Sequence, residues 1–287
     1  MGKKVLLDAL SSIAQILFIN RPIAGGIFLI GISAYSSLMA FTCFLGAMAA
    51  NFAAAVTKRC PDKIKEGLYG FNGALIGLAF PVFLPHTALL WVLVIVGAGL
   101  TTLLYEIFSS RLRISPLTFP YVLLTWLAIF LMDIKSPAAT CEVTPVWEIS
   151  VLGMGQIFFL ESILSGLFIL VGISLVSWRE AVWTWSGALI GSLPALWTGH
   201  FSVSLGLISL NTALLVLGFL RFRPEVNKLF ILVFAVLAVF IFQFLYNVLS
   251  YFSLPTLTFP FIFSMWIGTA CCHLLFKKPD VKHLKFR

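Results

Sequence analysis

The sequence QILFINRPIAGGIFLIGIS, at Gln15–Ser33, returns as QIFFLESILSGLFILVGIS at Gln156–Ser174, with eight identities in nineteen aligned positions. Both copies are apolar apart from a polar residue at their start and a short polar break at the sixth position. A long apolar block that occurs twice indicates an internal duplication, and its composition is typical of segments that lie in a membrane.

Two further blocks repeat in the same order at almost the same separation. GLYGFNGAL from Gly67 matches GLISLNTAL from Gly206, and LTFP at Leu117–Pro120 returns at Leu257–Pro260. Three matches at a nearly constant offset predict two homologous halves.

The composition excludes a soluble protein. The 287 residues are 60% hydrophobic and 10% charged, with a mean hydropathy of +1.05, whereas soluble domains carry about 25% charged residues. Secreted, cytosolic and nucleic-acid-binding proteins are therefore excluded, and membrane lipid is the expected surrounding. None of the five cysteines has a C-x-x-C partner or a histidine at ligand spacing, so neither a metal nor a cofactor is expected.

Each half is predicted to hold about five spans, because one span needs roughly 20 apolar residues. The predicted spans are 22–37, 38–57, 67–84, 87–108 and 119–134, then 163–178, 181–197, 203–220, 228–250 and 257–276. The fold class is therefore an all-α polytopic membrane protein of about ten transmembrane helices. Because five is odd, the repeats 1–145 and 146–287 would be inverted, as in many transporters. Segments 9–20 and 149–161 are predicted to be half-membrane helices that line a central pore.

The net charge of +8 reports membrane topology. Basic residues cluster in alternate loops, at 3–4, 58–65, 111–113, 179, 221–228 and 277–287, while the loops between them carry almost none. By the positive-inside rule, both termini are expected in the cytoplasm, with the protein in the cell's inner membrane.

The polar residues that repeat inside the apolar blocks are uncharged. They are Gln15 and Gln156, Asn72 and Asn211, and Thr118 and Thr258. Such residues are candidates for lining a pore, because a polar group without a partner is costly in hydrocarbon. The threonines could instead bond their own helices, the glutamines could be interfacial, and the asparagines are expected to cap broken helices rather than contact solute.

An apolar slot with acceptor oxygens suits a small, flat, neutral solute rich in N–H donors. A cation-coupled secondary transporter would normally need a buried acid, which this polar set lacks. An intramembrane enzyme is not expected, because the chain has no G-x-S-x-G or H-E-x-x-H motif. A channel for another small neutral solute, such as an amide, ammonia or water, remains an alternative.

The motif L-P-x-x-T-x-P-F is complete at Leu254–Phe261 and partial at Ile114–Tyr121. In this motif the chain resembles the urea transporter family, of which it is the hallmark. GLYGFNGALIG at Gly67–Gly77 resembles a second characteristic block of that family. The resemblance implies a passive, urea-selective channel that assembles as a homotrimer with one pore per subunit.

The resemblance also implies the pore residues. The outer slot would be Phe18 and Phe71 with Gln15; the central site Thr118 and Thr258 with Leu75 and Leu214; and the inner slot Phe159 with Gln156. The chain departs from the family pattern in the incomplete first hallmark, in Leu210, where the second block should carry phenylalanine, and in Gln156, where many bacterial members carry glutamate.

Overall fold

The computed structural model describes residues 2–111, 115–134, 145–196 and 206–275, and the regular secondary structure within these ranges is helical. The helices are α1 Gly2–Gln15, α2 Pro22–Tyr35, α3 Ser37–Val56, α4 Pro61–Lys65, α5 Gly70–Phe83, α6 Ala88–Arg111, α7 Phe119–Leu131, α8 Val146–Gln156, α9 Ile163–Ser192, α10 Leu207–Phe222, α11 Lys228–Tyr251 and α12 Phe259–Leu275. A short 3₁₀ turn, Leu193–Leu196, follows α9.

Within the described ranges, four helices are long and apolar enough to cross a membrane: α3, α6, α11, and α9 with its 3₁₀ turn. Four more, α2, α7, α10 and the last helix α12, are apolar but shorter than 18 residues. At 1.5 Å per residue, the 13 residues of α7 extend only about 20 Å, against a hydrocarbon core of about 30 Å. A helix of this length is too short to cross that core alone.

The predicted half-membrane segments each contain a short helix. Helix α1 has 14 residues and begins earlier than predicted, while α8 has 11 residues. Each ends at the repeated glutamine, Gln15 or Gln156, and the third position after it is Phe18 (φ 58°) or Phe159 (φ 61°). The left-handed conformation is unusual for an aromatic residue, so the same strained turn ends both short helices.

A serine breaks the chain at the same place in both copies. Ser36 separates α2 from α3, with φ −154° and ψ 115°, and its side chain accepts from the Met39 amide. Ser177, its counterpart in the second half, kinks α9 with φ −159° and ψ 104°, and it accepts from the Glu180 amide at 3.3 Å. Helix α9 is therefore two predicted spans joined across a capped kink.

Helices α2 and α9 join the two halves. The Ser165 hydroxyl donates to the Gly31 carbonyl oxygen at 2.9 Å. A Cβ on Gly172 would lie 2.3 Å from the ring of Phe28. These small residues let the two helix backbones approach closely, as is common where membrane helices pack.

Two tryptophans make reciprocal contacts across the halves. The Trp126 indole N–H donates to the Pro255 carbonyl oxygen at 2.8 Å, and the Trp266 indole N–H donates to the Ser115 carbonyl oxygen at 3.2 Å. The two donors occupy matching positions of the repeat, and so do the two acceptors. The segments before α7 and α12 are therefore each tied to the opposite half.

A serine and a glycine pack together in each half, with their places exchanged. In the first half Ser12 of α1 meets Gly70 of α5, where a Cβ would lie 2.1 Å from the serine oxygen. In the second half the glycine is on the short helix: a Cβ on Gly153 of α8 would lie 2.3 Å from the Cβ of Ser209 on α10. Each contact has room for one side chain only.

Candidate functional site

Three hydroxyl groups form a continuous hydrogen-bonded chain inside the protein. The Thr118 and Thr258 Oγ1 atoms are 2.8 Å apart, and the Tyr121 hydroxyl is 3.0 Å from Thr258 Oγ1. All three residues are buried, Tyr121 completely so. The repeated threonines, which are far apart in sequence, therefore meet, and among the described residues Thr118 makes no side-chain cap to its own helix.

The two threonines are presented by the same local backbone. Each follows a leucine in the left-handed region, Leu117 (φ 52°) or Leu257 (φ 50°), and each directly precedes a helix with proline at its second position. Proline fits there because the first helical amides have no intrahelical acceptor. The bend before α7 and α12 thus places each threonine at a helix start rather than on a lipid-facing side.

A buried asparagine holds each bend. Asn72 donates to the Leu117 carbonyl oxygen at 3.2 Å and accepts from the Tyr121 amide at 3.4 Å. Asn211 donates to the Leu257 carbonyl oxygen at 3.2 Å and accepts from the Phe261 amide at 2.8 Å. The expectation that the asparagines bond broken helices is confirmed by these contacts.

One predicted slot residue, Phe18, lies beside aromatic rings of the second half. Its ring centroid is 4.8 Å from that of Phe222, in an edge-to-face arrangement, and 6.0 Å from that of Phe261. A cavity opens here, lined by Gln15, Phe18, Asn20, Glu66, Leu68, Arg221 and Phe222. Arg221 is also ion-paired with Glu180.

The other repeated phenylalanine makes the matching contact. The ring of Phe159 lies edge-to-face on that of Phe83, with centroids 6.1 Å apart. Phe83 and Phe222 are counterparts in the two halves, and each is the last residue of its helix. Each of these two phenylalanines therefore packs on a ring from the other half.

A family model of urea transporters matches residues 7–271, which is most of the chain. The chain belongs to the urea transporter family. It is an integral membrane protein of a family that transports urea across membranes, and that family is one of transport rather than catalysis. The sequence-based recognition, made on the two hallmark copies and the Gly67–Gly77 block, is confirmed.

The remaining predicted pore residues of this urea transporter are buried. Leu75 and Leu214 are each 1% exposed, and Leu210 is 3% exposed. The ring of Phe71 lies 5.9 Å from that of Tyr105. All four belong to the main hydrophobic core, so core packing alone accounts for their burial.

Sequence reasoning missed three residues of the site: Tyr121, Phe83 and Phe222. Tyr121 stands at the last position of the first hallmark copy, so the motif contained a signal for it. Phe83 and Phe222 lie outside every repeated block, and the chain holds 28 phenylalanines. Their role became visible only when the halves were brought together.

Proposed function

We propose that this protein is a passive channel for urea, with its passage between two inverted halves, residues 1–145 and 146–287. The observation that carries the proposal is the buried chain of uncharged hydroxyls, to which each half contributes one threonine. Gln15, Phe18 and Phe71 lie toward one end of this passage, Gln156, Phe159 and Leu210 toward the other. Thr118, Thr258, Leu75 and Leu214 form its centre.

Reciprocal contacts support the inverted arrangement. The tryptophan bonds, the asparagine-held bends and the edge-to-face phenylalanine pairs each occur twice, once in each half or with partners exchanged between halves. Such exchange is expected when two similar units are related by a two-fold axis. An axis in the membrane plane places the solute site near the midplane, where the repeats meet.

The chemistry of the site favours urea over an ion. Urea carries four N–H bonds and one carbonyl oxygen, and hydroxyl groups both accept and donate. Exchanging water for protein hydrogen bonds changes the free energy by only about 1 kcal/mol each, so urea can shed its water without being trapped. The hydroxyl chain has no carboxylate, which a coupling cation would normally require.

Charge supports a cytoplasmic position for the Phe18 end. The cavity beside Phe18 is lined by Arg221 and by Glu66, which directly follows the basic helix α4. Because basic loops stay in the cytoplasm, we assign this end to the cytoplasmic face of the inner membrane. The slot of Phe18 is then the inner one and that of Phe159 the outer one, the reverse of the names taken from the family resemblance.

The proposed assembly is a homotrimer, which rests on the family resemblance. The long helices expose large apolar side chains, among them Phe52 (71% exposed) and Phe240 (69% exposed). A surface of this kind must be covered by lipid or by neighbouring subunits. Light scattering of the purified protein in detergent measures the subunit number.

Stopped-flow flux in proteoliposomes tests the channel. Urea permeability should exceed that of protein-free liposomes and should not respond to sodium or proton gradients. It should fall when Thr118 and Thr258 are both changed to valine, since the central oxygens are lost. A matched control changes Thr101 and Thr184 to valine. Both are buried, and their hydroxyls donate to the carbonyl oxygens of Ala98 and Glu180 in their own helices.

Each result has a distinct meaning. Gradient-driven accumulation of urea would replace the channel with a coupled transporter. If urea flux is lost equally in the Thr101/Thr184 control, the loss in both variants is due to misfolding and not to the loss of the central oxygens. Unchanged flux in the Thr118/Thr258 double variant would remove these threonines from the transport path.

A further inference from the structure

The central hydroxyl chain is not symmetric. Tyr121 and Phe261 occupy matching positions of the two halves, and each amide is held by its asparagine. Only Tyr121 carries a hydroxyl, and it bonds Thr258 of the other half. Thr258 therefore has two hydroxyl partners, while Thr118 has one among the described residues.

The direction of the tyrosine bond follows from its burial. Tyr121 is 0% exposed, and among the described residues its hydroxyl hydrogen-bonds to Thr258 alone. If the threonine donated, the phenol proton would be left buried without an acceptor, at a cost of about 1–3 kcal/mol. Tyr121 therefore donates, and Thr258 Oγ1 accepts.

We propose that Tyr121 sets which threonine receives the solute, a specificity-determining role that rests on the proposed urea channel. Its donated bond fills one of the two lone pairs of Thr258 Oγ1, and the Thr118–Thr258 bond takes up either the Thr258 proton or the other lone pair. Thr118 has no bond to Tyr121 and so keeps more free hydrogen-bonding capacity than Thr258, which makes it the hydroxyl that accepts from an N–H group of a urea-like amide in the passage. Thr258 serves mainly to hold Thr118.

A double-variant cycle in proteoliposomes tests the assignment with urea as the probe. Thr118→Val should lower urea permeability strongly in the native background, because the bond from Tyr121 leaves Thr258 Oγ1 with only one of its two lone pairs. With Tyr121→Phe, which removes only the hydroxyl, Thr258 is released and can accept in place of Thr118. The loss caused by Thr118→Val should then be about fivefold smaller, which corresponds to one hydrogen bond of about 1 kcal/mol.

Tyr69 provides the matched control for the cycle. It is buried, at 3% exposure, but its hydroxyl bonds the Glu106 carboxylate at 3.0 Å rather than a threonine. The effect of Thr118→Val should be the same with Tyr69→Phe as without it. Elution volume in size-exclusion chromatography shows that each variant is folded before its flux is compared.

Exchanging the two aromatic residues provides a second, mirrored test. Tyr121→Phe with Phe261→Tyr moves the hydroxyl beside Thr118, and Thr258→Val should become the more damaging change. If the native protein conducts urea and the Thr118→Val effect is independent of Tyr121, the inference is refuted and the channel stands. If liposomes that contain the native protein are no more permeable to urea than protein-free liposomes, the channel proposal fails and the inference fails with it.

Discussion

Changing Asn211 to alanine tests whether the bend before α12 is held as described. Asn211 accepts from the Phe261 amide at 2.8 Å and donates to the Leu257 carbonyl oxygen at 3.2 Å. The Phe261 amide is among the first four of its helix, which have no intrahelical acceptor. The variant leaves two buried main-chain groups without their side-chain partner.

The expected loss follows from those two groups. At about 1–3 kcal/mol for each unsatisfied buried group, Asn211→Ala should cost about 2–6 kcal/mol of stability. Asn72→Ala should cost less, because its bonds to Leu117 and Tyr121 are 3.2 and 3.4 Å long. For a protein of this size, the melting temperature should fall by at least about 4 °C for Asn211→Ala.

Thermal unfolding in detergent at one fixed scan rate measures the difference, because such scans can be rate-dependent. Asn247→Ala is the matched control: its side chain is exposed and bonds Gln243 at 3.3 Å, so its melting temperature should stay near the native value. Equal melting temperatures for Asn211→Ala and Asn247→Ala would refute the structural role. Lost urea flux at an unchanged melting temperature would instead place Asn211 in contact with solute.

Two further outcomes are expected. Gly25→Ala should severely destabilise the protein, because its Cβ would lie 1.9 Å from the Leu10 carbonyl oxygen. Gly26 has open space around it, so the control Gly26→Ala should shift stability by less than about 1 kcal/mol. Similar melting temperatures for the two variants would contradict the α1–α2 packing. Exposed Cys60 lies in the basic segment 58–65, which we assign to the cytoplasm, so it should react with a membrane-impermeant maleimide only after cells are permeabilised. The test uses a variant in which Cys141, expected in an external loop, is serine. Labelling in intact cells would reverse the assigned orientation.

The sequence predicts the centre of the site because both copies keep the same short block around the threonine. The constant offset puts Thr118 and Thr258 in equivalent places, and the two-fold arrangement that we propose would bring equivalent places near its axis together. The roles of Asn72 and Asn211 were predictable for a related reason. A bend that repeats needs the same main-chain groups satisfied twice, and an amide can both donate and accept.

The rings at the two ends were not predictable in the same way. Phe18 pairs with Phe222, and Phe159 with Phe83, across the halves. The pairing depends on how α5 and α10 dock against the opposite short helix, which no local pattern encodes. The kink at Ser177 falls at the boundary predicted between spans 163–178 and 181–197, and Ser36 marks the equivalent break in the first half.

The exchanged serine and glycine have a consequence for the history of the molecule. Ser12 faces Gly70, and Gly153 faces Ser209, so each contact keeps one small side chain but on opposite partners. An ancestral pair of identical subunits would have had a single version of this contact. Moving α8 into the place of α1 would now set glycine against glycine and leave a void, and the reverse graft would crowd two serines. The two short helices are therefore not interchangeable at this contact.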